Sequence, residues 1–79
     1  MNKLRLHTVS SGICRVLTDS GLHVGNLKLI GGVWKFKAIG YNTAGQVIPG
    51  GGPLTKRNNA VFKTPDPADV DQILGLNML

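Results

Sequence analysis

Two β-rich runs, residues 24–30 and 33–41, are separated by Gly31-Gly32, and this arrangement constrains the chain more than any other feature. A pair of glycines can take positive φ at both turn positions, so the runs read as a hairpin closed by a two-residue primed turn. If Ile30 stands opposite Val33, then Leu29 faces Trp34, Leu27 faces Phe36 and Gly25 faces Ala38. Directly opposed residues share a face, so these form one apolar side. The other side pairs Lys28 with Lys35, Asn26 with Lys37 and Val24 with Ile39. A slip of one residue would drive the lysines inward and Trp34 outward, so the pattern fixes the register.

The remaining charge follows the same segregation. The chain has 79 residues, a single domain over 1–79, with nine Lys and Arg against four acids and a net charge of +5. All the Lys and Arg residues lie in 1–63, where Asp19 is the only acid; Asp66, Asp69 and Asp71 lie together near the C-terminus. Such a balance favours attraction to polyanions without naming one. With Cys14 as the lone cysteine, no internal disulfide can form, and a reducing, cytoplasmic setting is expected. Arg5 and His7 interrupt the apolar N-terminal run, which argues against a signal peptide, and no stretch is apolar enough to span a membrane.

Upstream of the hairpin, alternation in Leu4-Arg5-Leu6-His7-Thr8-Val9 predicts a short strand, and Ser10-Ser11-Gly12 ends it. Residues 13–18 predict another, closed by Asp19-Ser20-Gly21. A two-residue Ser20-Gly21 loop would pair Leu17 with Val24 and Arg15 with Asn26, placing Arg15 on the lysine side. A three-residue loop would set Arg15 beside Trp34, a costly place for a charge. The shorter loop is therefore expected, with Cys14 and Val16 on the apolar side. Downstream, Asn42-Thr43-Ala44-Gly45 is a turn and Gln46-Val47-Ile48 a short edge strand. Three glycines between Pro49 and Pro53 predict a loop that is mobile or sharply reversing, and mobility would let Lys56 and Arg57 adjust to a ligand. Residues 59–63 predict a last strand with Val61 or Phe62 turned inward.

The C-terminal helix is well punctuated. Asp66 suits the N-cap, Pro67 the first helical position and Gly75 the C-terminal stop. Asp69 and Asp71 complement the helix dipole, while Val70, Ile73 and Leu74 make an apolar stripe that should cover Trp34. The fold class expected is α+β: an antiparallel β-meander of three to five strands with one C-terminal α-helix packed on one face.

Catalytic chemistry finds no footing. His7 and His23 are the only histidines, Glu is absent, and the acids near the C-terminus are explained by the helix start, so no acid–base pair or metal cluster assembles. Cys14 lies in an expected apolar setting that disfavours the thiolate. Gly-Gly-Gly-Pro-Leu-Thr-Lys-Arg lacks the spacing of a phosphate loop. The sequence therefore predicts a non-enzymatic protein without cofactor or metal.

Binding remains. Arg15, Asn26, Lys28, Lys35 and Lys37 would share one sheet face, and Lys56 and Arg57 could extend the patch beyond the glycine loop. A three-stranded sheet with a helix on its back resembles the small DNA-binding domains of some integrases and plant transcription factors, in which the sheet reads the major groove. That resemblance implies duplex DNA as the partner. The absence of stacking aromatics on the basic side also favours duplex phosphates over single strands. The alternative is a protein-interaction or homo-oligomerisation module, with Leu17, Val24 and Ile39 as an apolar centre ringed by charge. In size and make-up the chain resembles small bacterial or phage proteins.

Overall fold

Alternating apolar and polar residues over the first 41 positions produce four consecutive antiparallel strands, β1 (Leu4–Ser10), β2 (Ile13–Thr18), β3 (His23–Ile30) and β4 (Val33–Tyr41). The computed structural model describes residues 4–74. A short β5 (Val47–Pro49) continues the meander, and β6 (Val61–Phe62) pairs with β4 at its other end. The single helix α1 (Pro67–Leu74) closes the described chain. The protein is thus mostly β, with the meander at the upper end of the expected strand number and β6 added to it.

The β3–β4 hairpin has the register anticipated from its pattern, from Ile30 opposite Val33 to Gly25 opposite Ala38. Gly31 and Gly32 both have positive φ, 59° and 80°, as a primed turn requires. Leu27, Phe36 and Ala38 are buried on one face with Leu4, Cys14 and Val16. A side chain at Gly25 would meet the Phe36 ring at 2.4 Å, so the aromatic occupies the place that the glycine leaves empty. Val70 and Leu74 of α1 complete this core from above, joined by Leu54 and Phe62. Of the last strand, therefore, Phe62 is the inward residue and Val61 the exposed one.

The turn between β2 and β3 differs from expectation. Thr18 and Leu22 close it through Thr18 N–H donating to the Leu22 carbonyl at 2.9 Å, leaving the three residues Asp19, Ser20 and Gly21 as the loop. That loop alone would have turned Arg15 inward. A β-bulge intervenes: Val16 pairs with Gly25 and Leu17 with His23, so Val24 is skipped. The extra residue restores Arg15 to Asn26, as anticipated, by a different route. It also overturns the placing of Val24, which is fully buried in the core rather than opposite Ile39 on the lysine side.

The helix start behaves as read: Asp66 Oδ1 accepts from the Ala68 amide at 3.0 Å, and the Asp66 carbonyl accepts from Val70. Gly75, residues 76–79 and the side chains of Asp71 and Ile73 lie outside what is described. Trp34 is half-buried: it packs against the core cluster that contains Val70 and Leu74, and its partner Leu29 is 47% exposed. Among the strands the helix packs chiefly against β1, at the far edge of the sheet from Trp34, with Val70 and Leu74 entering the core.

Of the alternatives for the glycine loop, the chain takes the sharply reversing one. Gly50 N–H donates to the Ala38 carbonyl at 2.7 Å and Gly51 N–H to Ile48 at 3.1 Å. The Thr55 hydroxyl donates to the Gly50 carbonyl. Gly52, with φ +86°, lies so close to β4 that a Cβ there would meet the Ile39 carbonyl oxygen at 2.0 Å. The reversal delivers Leu54 into the core, then a single 3-10 turn (Thr55–Arg57), then Asn58, whose Oδ1 accepts from the Ala38 amide at 3.0 Å. Both edges of β4 are thereby occupied along most of its length.

Candidate nucleic-acid interface

The pleat sends alternate residues away from the core, and cross-strand register then arranges them in rows. One row runs His7, Arg15, Asn26, Lys37 across β1 to β4, each directly opposite the next. Beside it lies Ile13, Lys28, Lys35, Val61, and on the other side Arg5, Leu17, His23. Strands stand about 4.8 Å apart, so the first row spans roughly 14 Å. None of these four strands contains an acid. Asp66 and Asp69 belong to the helix side of the sheet, where α1 packs on the core. The acids thus lie off these strands, Asp66 and Asp69 with the helix and Asp19 in the turn after β2.

Within the face, individual groups are differently held. Lys37 Nζ donates to Asn59 Oδ1, which keeps its head at the β4 edge while leaving further N–H donors free. Asn59 has φ +74°, a left-handed conformation that asparagine tolerates, and its amide donates to the Phe36 carbonyl at 2.7 Å. Lys28 and Lys35 oppose each other directly, a like-charge pair that costs a sheet about 0.2–1 kcal/mol unless an anion lies between. The bulge turns His23 onto this face, where its Nε2 donates to Asn26 Oδ1 at 2.9 Å. The carbonyl of Asn26 is thus engaged, and its amide N–H groups remain as donors.

Two open depressions mark the face. The larger, of ≈ 520 Å³, has Asn26, Lys28 and Lys37 along one side and Ile39, Val47 and Pro49 along another. Ile39 is only 8% exposed and stays outside the core cluster, so it forms an apolar wall on the basic side, as anticipated. The smaller, of ≈ 340 Å³, is lined by Arg5, His7, Arg15 and Leu17 with the turn that follows β2.

Of the residues singled out by sequence, the structure brings together Arg15, Asn26, Lys28, Lys35 and Lys37. Lys56 and Arg57 stand apart: they occupy the 3-10 turn after the glycine loop and line neither depression. Arg5, His7 and His23 join the face without having been selected. For Arg5 and His7 the signal was present in their alternation with Leu4 and Leu6. For His23 it was Gly25, since an isolated glycine in a strand pattern suggests a bulge.

Cys14 is buried on the core face, so it cannot meet His7 or His23, which lie on the other. Among the described residues no three His, Cys, Asp or Glu side chains gather as a metal site, and no helix is long and apolar enough to cross a membrane. Comparisons with protein-family models, with curated proteins and with solved structures find no match.

Proposed function

We propose that the protein binds duplex DNA through the basic face of its sheet. The observation that carries this reading is the gathering of Arg5, Arg15, Lys28, Lys35 and Lys37 on one side of four strands that contain no acid. Phosphate contacts fix a protein on a duplex and supply most of its salt-dependent affinity. A rigid sheet holds such contacts without the ordering cost of a flexible tail. Single-strand binders need rings on which bases can stack, and here Trp34 and Phe36 belong to the opposite face. Tyr41, at the margin, is the one exposed Trp, Tyr or Phe ring, and the imidazole of His7 is the exposed ring on the basic face itself.

Fluorescence anisotropy with matched duplex DNA, single-stranded DNA and duplex RNA tests the preference. Duplex DNA binds tightest under this reading; equal or tighter binding of the single strand would refute it. A second reading, self-association or capture of another protein, draws on the apolar wall of Ile39, Val47 and Pro49 and on exposed Tyr41 and Ile48 beside it. It predicts a concentration-dependent dimer or a partner complex, with nucleic-acid binding that vanishes near physiological salt. Sedimentation over a range of protein concentrations detects the dimer.

A further inference from the structure

The smaller depression is built differently from the rest of the face. Arg5 and His7 stand two apart on β1 and so project on the same side. Arg15 lies directly opposite His7 and Leu17 directly opposite Arg5. The two arginines are thus diagonal neighbours, about 7–8 Å apart at the backbone, a span that long side chains close readily. Half-buried Leu17 gives the depression an apolar floor.

Its wall is the tight turn after β2. Thr18 holds that turn at several points: its amide donates to Leu22, its carbonyl accepts from Gly21 at 2.9 Å, and its hydroxyl oxygen accepts from the Leu22 amide at 3.1 Å. The Ser20 hydroxyl lies 2.9 Å from the same oxygen. Asp19 belongs to this turn but does not line the depression. His23, opposite Leu17, directs its Nε2 to Asn26 and stays out of it.

We propose that Arg5, His7 and Arg15 form a binding site for a phosphate monoester. Planar guanidinium groups bind phosphate oxygens through paired N–H donors, and two of them converging on one depression can engage more than one edge of a tetrahedral anion. A monoester carries about −1.5 to −2 charges near neutral pH, against a single charge on a backbone diester. Two converging cations therefore favour the monoester. Its source is either the phosphorylated end of a nucleic-acid strand or a small phosphorylated molecule such as a nucleotide. The inference extends the basic-face reading but is tested without DNA first, so either can fail alone.

Titrating the full-length protein with inorganic phosphate and with a nucleoside 5′-monophosphate, at constant ionic strength and against chloride, should shift the amide signals of Arg5, His7, Arg15 and Leu17. Arg5→Gln with Arg15→Gln should weaken binding roughly tenfold or more, the loss expected when charge-assisted hydrogen bonds go. Arg5→Lys with Arg15→Lys should also weaken it, because charge is kept while the planar fork is lost. Lys28→Gln, in the other depression, should leave the affinity unchanged. Tighter binding of a 5′-phosphorylated duplex than of its 5′-hydroxyl form, lost in the arginine variants, would assign the strand end as source. Nucleotide binding without that preference would assign a small ligand. Shifts spread evenly over Lys28, Lys35 and Lys37, or full affinity in either arginine pair variant, would overturn the site.

Discussion

Gly52→Ala should destabilise the protein sharply, and the reasons can be separated. At φ +86° any L side chain is strained, by about 1–2 kcal/mol. The added Cβ would also lie 2.0 Å from the Ile39 carbonyl oxygen and 2.9 Å from Gly40 Cα. Both obstacles are backbone, so no side-chain rotation relieves them, and overpacking of this kind costs about 1–3 kcal/mol. The combined loss is therefore on the order of 2–5 kcal/mol, a large part of what a domain this small has to lose. For a chain of this length each kcal/mol lowers Tm by about 4–8 °C, so a fall of at least about 8 °C is expected in a thermal melt followed by circular dichroism. Two controls divide the effect. Gly45 has φ +81° with nothing within 4 Å of its would-be Cβ, so Gly45→Ala should show the strain alone. Gly40 carries no positive φ, yet its Cβ would meet the Gly52 nitrogen at 2.6 Å, so Gly40→Ala should show the clash alone. Because Gly40 and Gly52 share one contact, the double variant should cost less than the sum. If Gly52→Ala proved no worse than Gly45→Ala, the glycine loop would not lie against β4. The Ile39–Pro49 wall of the larger depression would then lose its support.

Further expectations concern the core and the helix. Phe36→Ala should cost about 3–5 kcal/mol in urea unfolding, since the ring is fully buried over Gly25. Trp34→Ala should cost less, about 2 kcal/mol, because that ring is only partly buried, at the rim of the core; the reverse order would mean that the helix covers the hairpin tip. Asp66→Ala should remove about 1 kcal/mol through the lost cap, measurable in the same experiment; no change would place the helix start elsewhere.

The parts of the fold that were legible in the sequence are those written in strict periods. Lys28, Lys35 and Lys37 alternate with Leu27, Trp34 and Phe36, and a period of two leaves no choice of face or partner once the Gly31-Gly32 turn is placed. The helix was legible from Asp66-Pro67 because caps act locally. What escaped depends on longer-range compensation. Arg15 reached its expected neighbour only because the skipped Val24 offsets the longer Asp19–Gly21 loop, and each half of that compensation is invisible without the other. Leu54 has no periodic company: a single apolar residue between Pro53 and Thr55 carries no pattern, yet it is buried as fully as Phe36. The glycines of 50–52 read equally well as freedom or as close approach, and only the packing of Gly52 on Gly40 decides. The basic site was therefore legible as a set of cations. Its division into a lysine depression with an apolar wall and an arginine depression with a rigid turn was not, because one wall depends on how the short β5 pairs with β4 and the other on a turn.

The most direct test of the basic face is the salt dependence of duplex DNA binding in the wild type and in Lys28→Gln with Lys35→Gln. If Arg5, Arg15, Lys28, Lys35 and Lys37 each neutralise a phosphate, log K against log salt should fall with a slope of about −4.5, at roughly −0.9 per contact. The double variant should flatten the slope to about −2.7. It should also fold at least as stably as the wild type, because the opposed like charges of Lys28 and Lys35 are gone. Unchanged affinity and slope in that variant would contradict the account and leave the lysines as ordinary solvated side chains.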